Sequence, residues 1–315
     1  MAGEAATRPA AHASRIHAAD RLLRRVQAVG APVCVGLDPV LERLPPAIAG
    51  RVGHVDDRAA CAQALEMFSR GVLDAVRGVV GVVKVQAACF ERHGPDGVQA
   101  LARVLRAAQG DFEVILDFKR GDIGVSAEHY AAAARGALAC DWTTVNGYLG
   151  MDGIEPFLRT DPDGRGHGSF VLVRTSNPSG DAVQGLRLAD GRTVAEAVAD
   201  MVAAAGAGWV GEMGFSDLGA VVGATRPADA AALRARMPQQ VFLVPGYGAQ
   251  GGGADDVLPC FRADGRGALV TASRSVIYAF TALNRDWQVA VRRAAEQFHT
   301  EIAQALGRSV SGARP

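Results

Sequence analysis

Short runs rich in Val, Ile, Leu and Phe alternate along the chain with longer Ala-rich stretches whose apolar residues recur every three or four positions. A brief continuous apolar run suits a strand covered on both faces, and the three-to-four spacing suits a helix with one buried stripe. These runs predict strands over residues 32–37, 79–85, 112–118, 142–145, 170–173, 209–211, 241–244 and 268–271. Helices are predicted over 56–76, 95–108, 126–138, 193–205, 228–236 and 285–306, with Ser126 and Thr193 standing where N-caps belong. An amphipathic segment ending near Gly30 precedes the first strand, while 160–168 and 177–191, dense in Asp, Gly and polar residues, read as surface excursions.

Strands joined by helices pair in parallel, which leaves a closed barrel or a doubly wound open sheet. The polar residues separate the two. Asp38 follows the first run, Lys84 lies on the second, and Asp117 and Lys119 lie on the third. Residues 175–177 follow the fifth, Gln250 the seventh and Arg274 the eighth. Chemistry drawn from many strand ends is what the C-terminal face of a barrel offers, whereas an open sheet gathers it at one switch point. The expected fold is therefore α/β, a single-domain (β/α)₈ TIM barrel over residues 15–308 with an N-terminal helical extension, a disordered tail at 1–14 and a flexible tail at 309–315.

Lys plus Arg total 33 and Asp plus Glu total 33 in 315 residues, so no net field draws the protein to nucleic acid or an anionic membrane. Any anion it binds must be held locally. Five widely spaced cysteines lack a CxxC pair, and seven histidines show no HExxH spacing, which points to a reducing, cytoplasmic compartment and to no metal. No stretch of about 18 apolar residues is present to span a membrane, and the first residues lack the apolar core of a secretory signal. Cys34 and Cys89 read as small buried hydrophobes, and Trp142 and Trp209 as packing residues at strand starts.

The run Val114-Ile115-Leu116-Asp117-Phe118-Lys119-Arg120-Gly121-Asp122-Ile123 carries the strongest chemical signal. Residues two apart on a strand share a face, so Asp117 and Lys119 point one way and Leu116 and Phe118 the other. Opposite charges on the inner side of a strand cost desolvation that a purely structural strand avoids with Val or Ile. From the DxKxxD spacing alone, a buried ion pair without catalytic duty stands level with a catalytic pair. Lys84 on the neighbouring strand, about 5 Å away, shifts the balance toward an alternating-charge network with Asp122 in the following turn.

With these motifs the chain resembles the orotidine 5′-phosphate decarboxylase family, in its longer bacterial subgroup. The likeness rests on Val33-Cys34-Val35-Gly36-Leu37-Asp38-Pro39, Val83-Lys84-Val85-Gln86, the DxKxxD run, Arg174-Thr175-Ser176-Asn177-Pro178, Pro245-Gly246-Tyr247-Gly248-Ala249-Gln250 and Ser273-Arg274, in that order. The resemblance implies a cofactor-free decarboxylase acting on orotidine 5′-monophosphate. Asp38 and Lys84 would bond the ribose hydroxyls, Asp117 would sit beside the substrate carboxylate, and Lys119 would protonate the pyrimidine C6. Asp122 would cross into the partner's site in a homodimer. Ser176 would contact the pyrimidine amide edge, Gln250 and Arg274 would hold the phosphate, and Ile123 and Asn177 complete the substrate-binding set. Gly147 stands where the family usually has proline.

The chemistry is coherent on its own terms. Losing carbon dioxide from this ring leaves a vinyl carbanion with no carbonyl or imine to delocalise it, so a fixed cation must stabilise it. An ammonium about 4 Å away is worth roughly 4 kcal/mol at an effective dielectric of 20. The rest comes from phosphate and ribose contacts that drive closure.

Residues 246–251 also fit GxGxxG, but their place late in the chain favours a phosphate-approaching loop over a dinucleotide fold. Three rivals remain: a magnesium-dependent sugar-phosphate decarboxylase of the same superfamily, which uses an acidic residue where Lys84 stands; a Schiff-base aldolase, whose lysine needs a depressed pKa that Asp117 opposes; and a phosphate-binding barrel without turnover.

Overall fold

The computed structural model describes residues 15–223, 227–248, 253–281 and 286–312, with side chains up to residue 307. The first half runs α1 (Ala18–Val29), β1 (Val33–Leu37), α2 (Pro46–Ala49), α3 (Arg58–Val76), β2 (Val82–Gln86), α4 (Ala87–Glu91), α5 (Gly94–Ala108), β3 (Glu113–Arg120), α6 (Gly124–Arg135) and β4 (Trp142–Val145). The second runs β5 (Gly168–Arg174), α7 (Asp181–Gln184), α8 (Val194–Gly206), β6 (Ser216–Val222), α9 (Pro227–Arg236), β7 (Gln240–Val244), β8 (Ala268–Ala272), α10 (Arg274–Ile277) and α11 (Trp287–Gly312). All eight strands pair in parallel and in sequence order, and β1 closes on β8. This is the (β/α)₈ barrel that the scatter of polar residues predicts.

Two apolar layers follow from the pleat. Val33, Val35, Val83, Val85, Val114 and Leu116 face outward and pack under the helices with Leu65, Phe68, Leu101 and Leu105. The alternate residues Cys34, Val82, Ile115, Trp142, Phe170, Val241 and Leu269 fill the barrel interior. From below, α1 seals it with Ala18, Ala19, Leu22 and Leu23, and it ends at Gly30, whose φ of 88° is the left-handed cap that glycine adopts without strain. Asp217, wholly buried on β6, anchors this seal by accepting bonds from Arg15 at 2.8 and 3.1 Å, His17 at 3.0 Å and the Ala19 N–H at 2.9 Å.

Several local expectations need correction. The sixth strand lies at Ser216–Val222, not 209–211. Trp209 ends a 3₁₀ turn with the Arg15 guanidinium over its ring, and Gly211 begins the turn into the strand. Ser126 is not an N-cap, because α6 starts at Gly124 and Ile123 precedes it without a capping side chain. Thr193 does cap α8, in a reciprocal box with Glu196. Residues 160–168 are only partly a surface excursion: Arg165 pairs with Ile16 and His167 is buried. Cys34 is buried as expected, but Cys89 sits half-buried on α4. Helix α11 runs to Gly312, past residue 308. The predicted tail at 1–14 lies outside the described residues.

Candidate active site

The pleat that builds the apolar interior also builds the site. Inward positions climb in steps of two: Cys34, Gly36 and Asp38 on and after β1; Val82, Lys84 and Gln86 on β2; Ile115, Asp117 and Lys119 on β3; Trp142 and Thr144 on β4. The lower member of each series is apolar and touches the core. The upper members are polar and meet at the C-terminal mouth. Register brings them level, with Gly36 opposite Lys84 and Gln86 opposite Asp117.

Asp117 is the hub, its side chain only 8% exposed. Its Oδ2 accepts from Lys84 Nζ at 2.8 Å and Gln86 Nε2 at 3.1 Å, and its Oδ1 accepts from Lys119 Nζ at 2.6 Å and the Thr144 hydroxyl at 2.8 Å. Lys84 Nζ also reaches Asp38 at 3.3 Å. The charges therefore alternate in a row: Asp38, Lys84, Asp117, Lys119. Burial pushes the Asp117 carboxyl up, but the two ammonium groups and their hydrogen bonds outweigh it and hold the group well below the usual carboxylate range. Burial likewise works against the Lys84 cation, and Asp38 and Asp117 override it, so Lys84 stays protonated.

Lys119 differs from Lys84 in exposure, 48% against 7%. Its backbone adopts φ +46°, a left-handed conformation uncommon for a residue with a side chain. The β3–β4 ladder shifts register between Leu116 and Arg120, and within that gap the Lys119 N–H donates to Thr144 Oγ1 at 3.1 Å. Phe118 faces outward, edge-on to Phe157.

The remaining predicted residues ring this row. Asp122 and Ile123 lie in the turn after β3; Asp122 Oδ1 accepts the Ile123 N–H, and Ile123 is 58% exposed. Neither is brought into the Asp117 network. Ser176 lies past β5, against Gly223, where a Cβ would come within 3.2 Å of it. Asn177 turns into its own loop, accepting from Thr175 Oγ1 and donating to Ser179 Oγ. Arg274 begins α10, is exposed, and makes no side-chain hydrogen bond or ion pair among the described residues. Gln250 lies outside the described residues. At Gly147, a Cβ would come 2.8 Å from Val171 Cγ1, so close packing occupies the space there.

Three features escaped the sequence reading. Gln86 and Thr144 complete the four bonds to Asp117, and both are inward positions, Gln86 two residues past Lys84 and Thr144 two past Trp142, a signal present in the pleat but masked at Thr144 because Thr is an ordinary strand former. Gly36 is the third: a Cβ there would lie 1.9 Å from Ser273 Oγ, so its bareness lets the β8 end fold over the β1 end.

Residues 31–281 match the model of the orotidine 5′-phosphate decarboxylase / HUMPS family. An orotidine 5′-phosphate decarboxylase of Rhodopirellula baltica is 41% identical over 299 residues, covering 90% of this chain and 98% of that protein, and one of Clostridium perfringens is 34% identical over 91% and 99%. Among solved structures, a candidate orotidine-monophosphate decarboxylase of Toxoplasma gondii superposes with a TM-score of 0.81 at 29% identity, over 94% of this chain and 98% of that one. The Leishmania donovani OMP decarboxylase gives 0.73 at 32% identity, over 93% and 99%. With its barrel, its row of alternating charges and these relatives, the chain belongs to the orotidine 5′-phosphate decarboxylase family.

Proposed function

We propose that the protein converts orotidine 5′-monophosphate to uridine 5′-monophosphate and carbon dioxide, with Lys119 as cation and proton donor. The observation that carries this reading is the Lys119 ammonium, half-exposed at the barrel mouth and fixed 2.6 Å from a carboxylate that cannot easily take its proton. The C6–carboxylate bond breaks, its electron pair stays on C6, and Lys119 Nζ delivers a proton there as carbon dioxide departs. Solvent then reprotonates the amine. The electrostatic part is preorganised, because Asp117 and the strand ends hold the charge in place before substrate arrives.

Asp38 and Lys84 are the groups for the ribose hydroxyls, Ser176 for the pyrimidine amide edge, and Arg274, together with Gln250, for the phosphate. Asn177 shapes the loop that carries Ser176. An exposed guanidinium just past the last strand suits phosphate bidentately. The magnesium-dependent rival is disfavoured by Lys84, whose ammonium already lies between Asp38 and Asp117 and would repel a divalent ion there. Among the described residues no helix is long and apolar enough to cross a membrane; the five cysteines are free, which supports a reducing, cytoplasmic setting.

Asp122 and the exposed Ile123, Val125, Tyr148 and Leu149 support a homodimer with shared sites. Mixing Lys119→Ala with Asp122→Ala protein should restore part of the activity that each lacks. No recovery after proven subunit exchange rejects the shared site. The activity itself is tested by the loss of orotidine 5′-monophosphate absorbance, with and without chelator. Chelator-resistant turnover is expected, and no turnover, or turnover only with added metal, overturns the proposal.

A further inference from the structure

The Thr144 hydroxyl touches both ends of the Lys119 side chain's anchorage. It donates to Asp117 Oδ1 at 2.8 Å, the same oxygen that holds Lys119 Nζ, and it accepts from the Lys119 backbone N–H at 3.1 Å. One hydroxyl has one proton to give and lone pairs to receive, so both bonds form together. Thr144 is 1% exposed, so its hydroxyl is shielded from bulk solvent.

The backbone explains why such a latch is needed. A left-handed residue with a Cβ costs about 1–2 kcal/mol relative to its ordinary conformation. The β3–β4 ladder shifts register across Lys119 and resumes at Arg120, and the Lys119 N–H goes to the Thr144 hydroxyl. The left-handed backbone turns the chain at the end of β3, while the Lys119 ammonium stays on Asp117 Oδ1, two residues back on the same face, at 2.6 Å.

From this geometry we infer that Thr144 is a positioning residue for the decarboxylation, its hydroxyl latching the twisted backbone of Lys119 and the carboxylate of Asp117 into one register so that the ammonium stands where charge forms. The inference rests on the Lys119 reading above. It assigns Thr144 no contact with the reacting atoms.

The test compares Thr144→Val, which keeps shape and removes both bonds, with Thr144→Ser, which keeps the hydroxyl. Thr144→Val should lower kcat roughly 10- to 100-fold, the span that losing a hydrogen bond to a charged group covers, while KM for orotidine 5′-monophosphate moves by less than about threefold, since phosphate and ribose contacts are untouched. Thr144→Ser should recover most of kcat. A merely structural threonine would show neither the kcat-only loss nor rescue by serine. Should Thr144→Val fail to fold, Thr144→Cys, whose thiol donates and accepts weakly, is read against the same thresholds. Wild-type kcat in the valine (or cysteine) variant, an equal loss in the serine variant, or a loss confined to KM overturns the inference. Lys119→Ala is assayed beside them. Near-normal turnover there removes the Lys119 reading itself, whereas abolished turnover there with unaffected Thr144→Val removes the Thr144 inference alone.

Discussion

Replacing Asp117 by Asn tests the charge row at its hub. The carboxylate accepts four bonds, two from ammonium groups and two from neutral donors. The neutral donors adapt: Gln86 can turn its amide and Thr144 can reverse its hydroxyl to accept from an NH₂. The ammonium groups cannot. Because Lys84 is 7% exposed and Lys119 is 48% exposed, the new amide oxygen goes to Lys84 and Lys119 is released to water. At 2.8 Å the Lys84–Asp117 attraction is about 6 kcal/mol gross at an effective dielectric of 20. Removing one partner of a buried pair costs about 3–5 kcal/mol, and Asp38 at 3.3 Å together with the amide dipole keeps the loss near the lower end.

Asp117→Asn should therefore lose about 3 kcal/mol of stability, read as a lower urea midpoint at unchanged slope, and turnover should fall by at least about 100-fold as Lys119 loses its anchor. The pH dependence supplies a second arm. A carboxyl held below its ordinary 3.8 stabilises the fold at every pH above that value and loses its contribution as pH falls through the folded-state value. The gap between wild type and variant should be level from pH 5 to 8 and narrow below about 4. A variant within about 1 kcal/mol of wild type at neutral pH, or a gap that widens in acid, would refute the reasoning.

Two further outcomes follow from the structure. Gly36→Ala should displace Ser273, whose Oγ lies 1.9 Å from the new Cβ, and with it Arg274 on the next residue; KM for the nucleotide should rise more than kcat falls, and an unchanged KM would contradict the close fit. Glu113, 4% exposed at the foot of β3, has its carboxyl pushed up from 4.5 to about 7 by burial and then by Asp141. Its folded state favours the proton, so wild-type stability should fall as pH rises from about 4.5 to about 7, by at most about 3 kcal/mol, and stay level above. Glu113→Gln should flatten that slope, and parallel curves for the two proteins would count against it.

Most of the barrel was legible because its strands are buried on both faces and read as apolar runs. The sixth strand was not, since Ser216, Asp217 and Gly219 interrupt it for tertiary reasons: Asp217 anchors the N-terminal seal, and a Cβ at Gly219 would meet Val241 O at 2.6 Å and the Phe170 ring. Those partners are far away in sequence, so a local pattern cannot show them. The Lys84–Asp117–Lys119 cluster was legible from two-residue alternation and adjacent strands. The twist at Lys119 and the roles of Gln86 and Thr144 were hidden, because a register shift depends on both strands of a pair and a buried threonine looks like any strand residue.

The central claim is that the Lys119 ammonium both stabilises and protonates the departing ring carbon. Single-turnover decarboxylation of orotidine 5′-monophosphate by Lys119→Ala, with nucleotide binding measured on the same sample, tests it most directly. Loss of the cation, roughly 4 kcal/mol, and of the proton donor, about 10²–10⁴-fold, predicts a rate at least about 10⁵-fold below wild type with binding still measurable. A rate within about tenfold of wild type on bound substrate would contradict it.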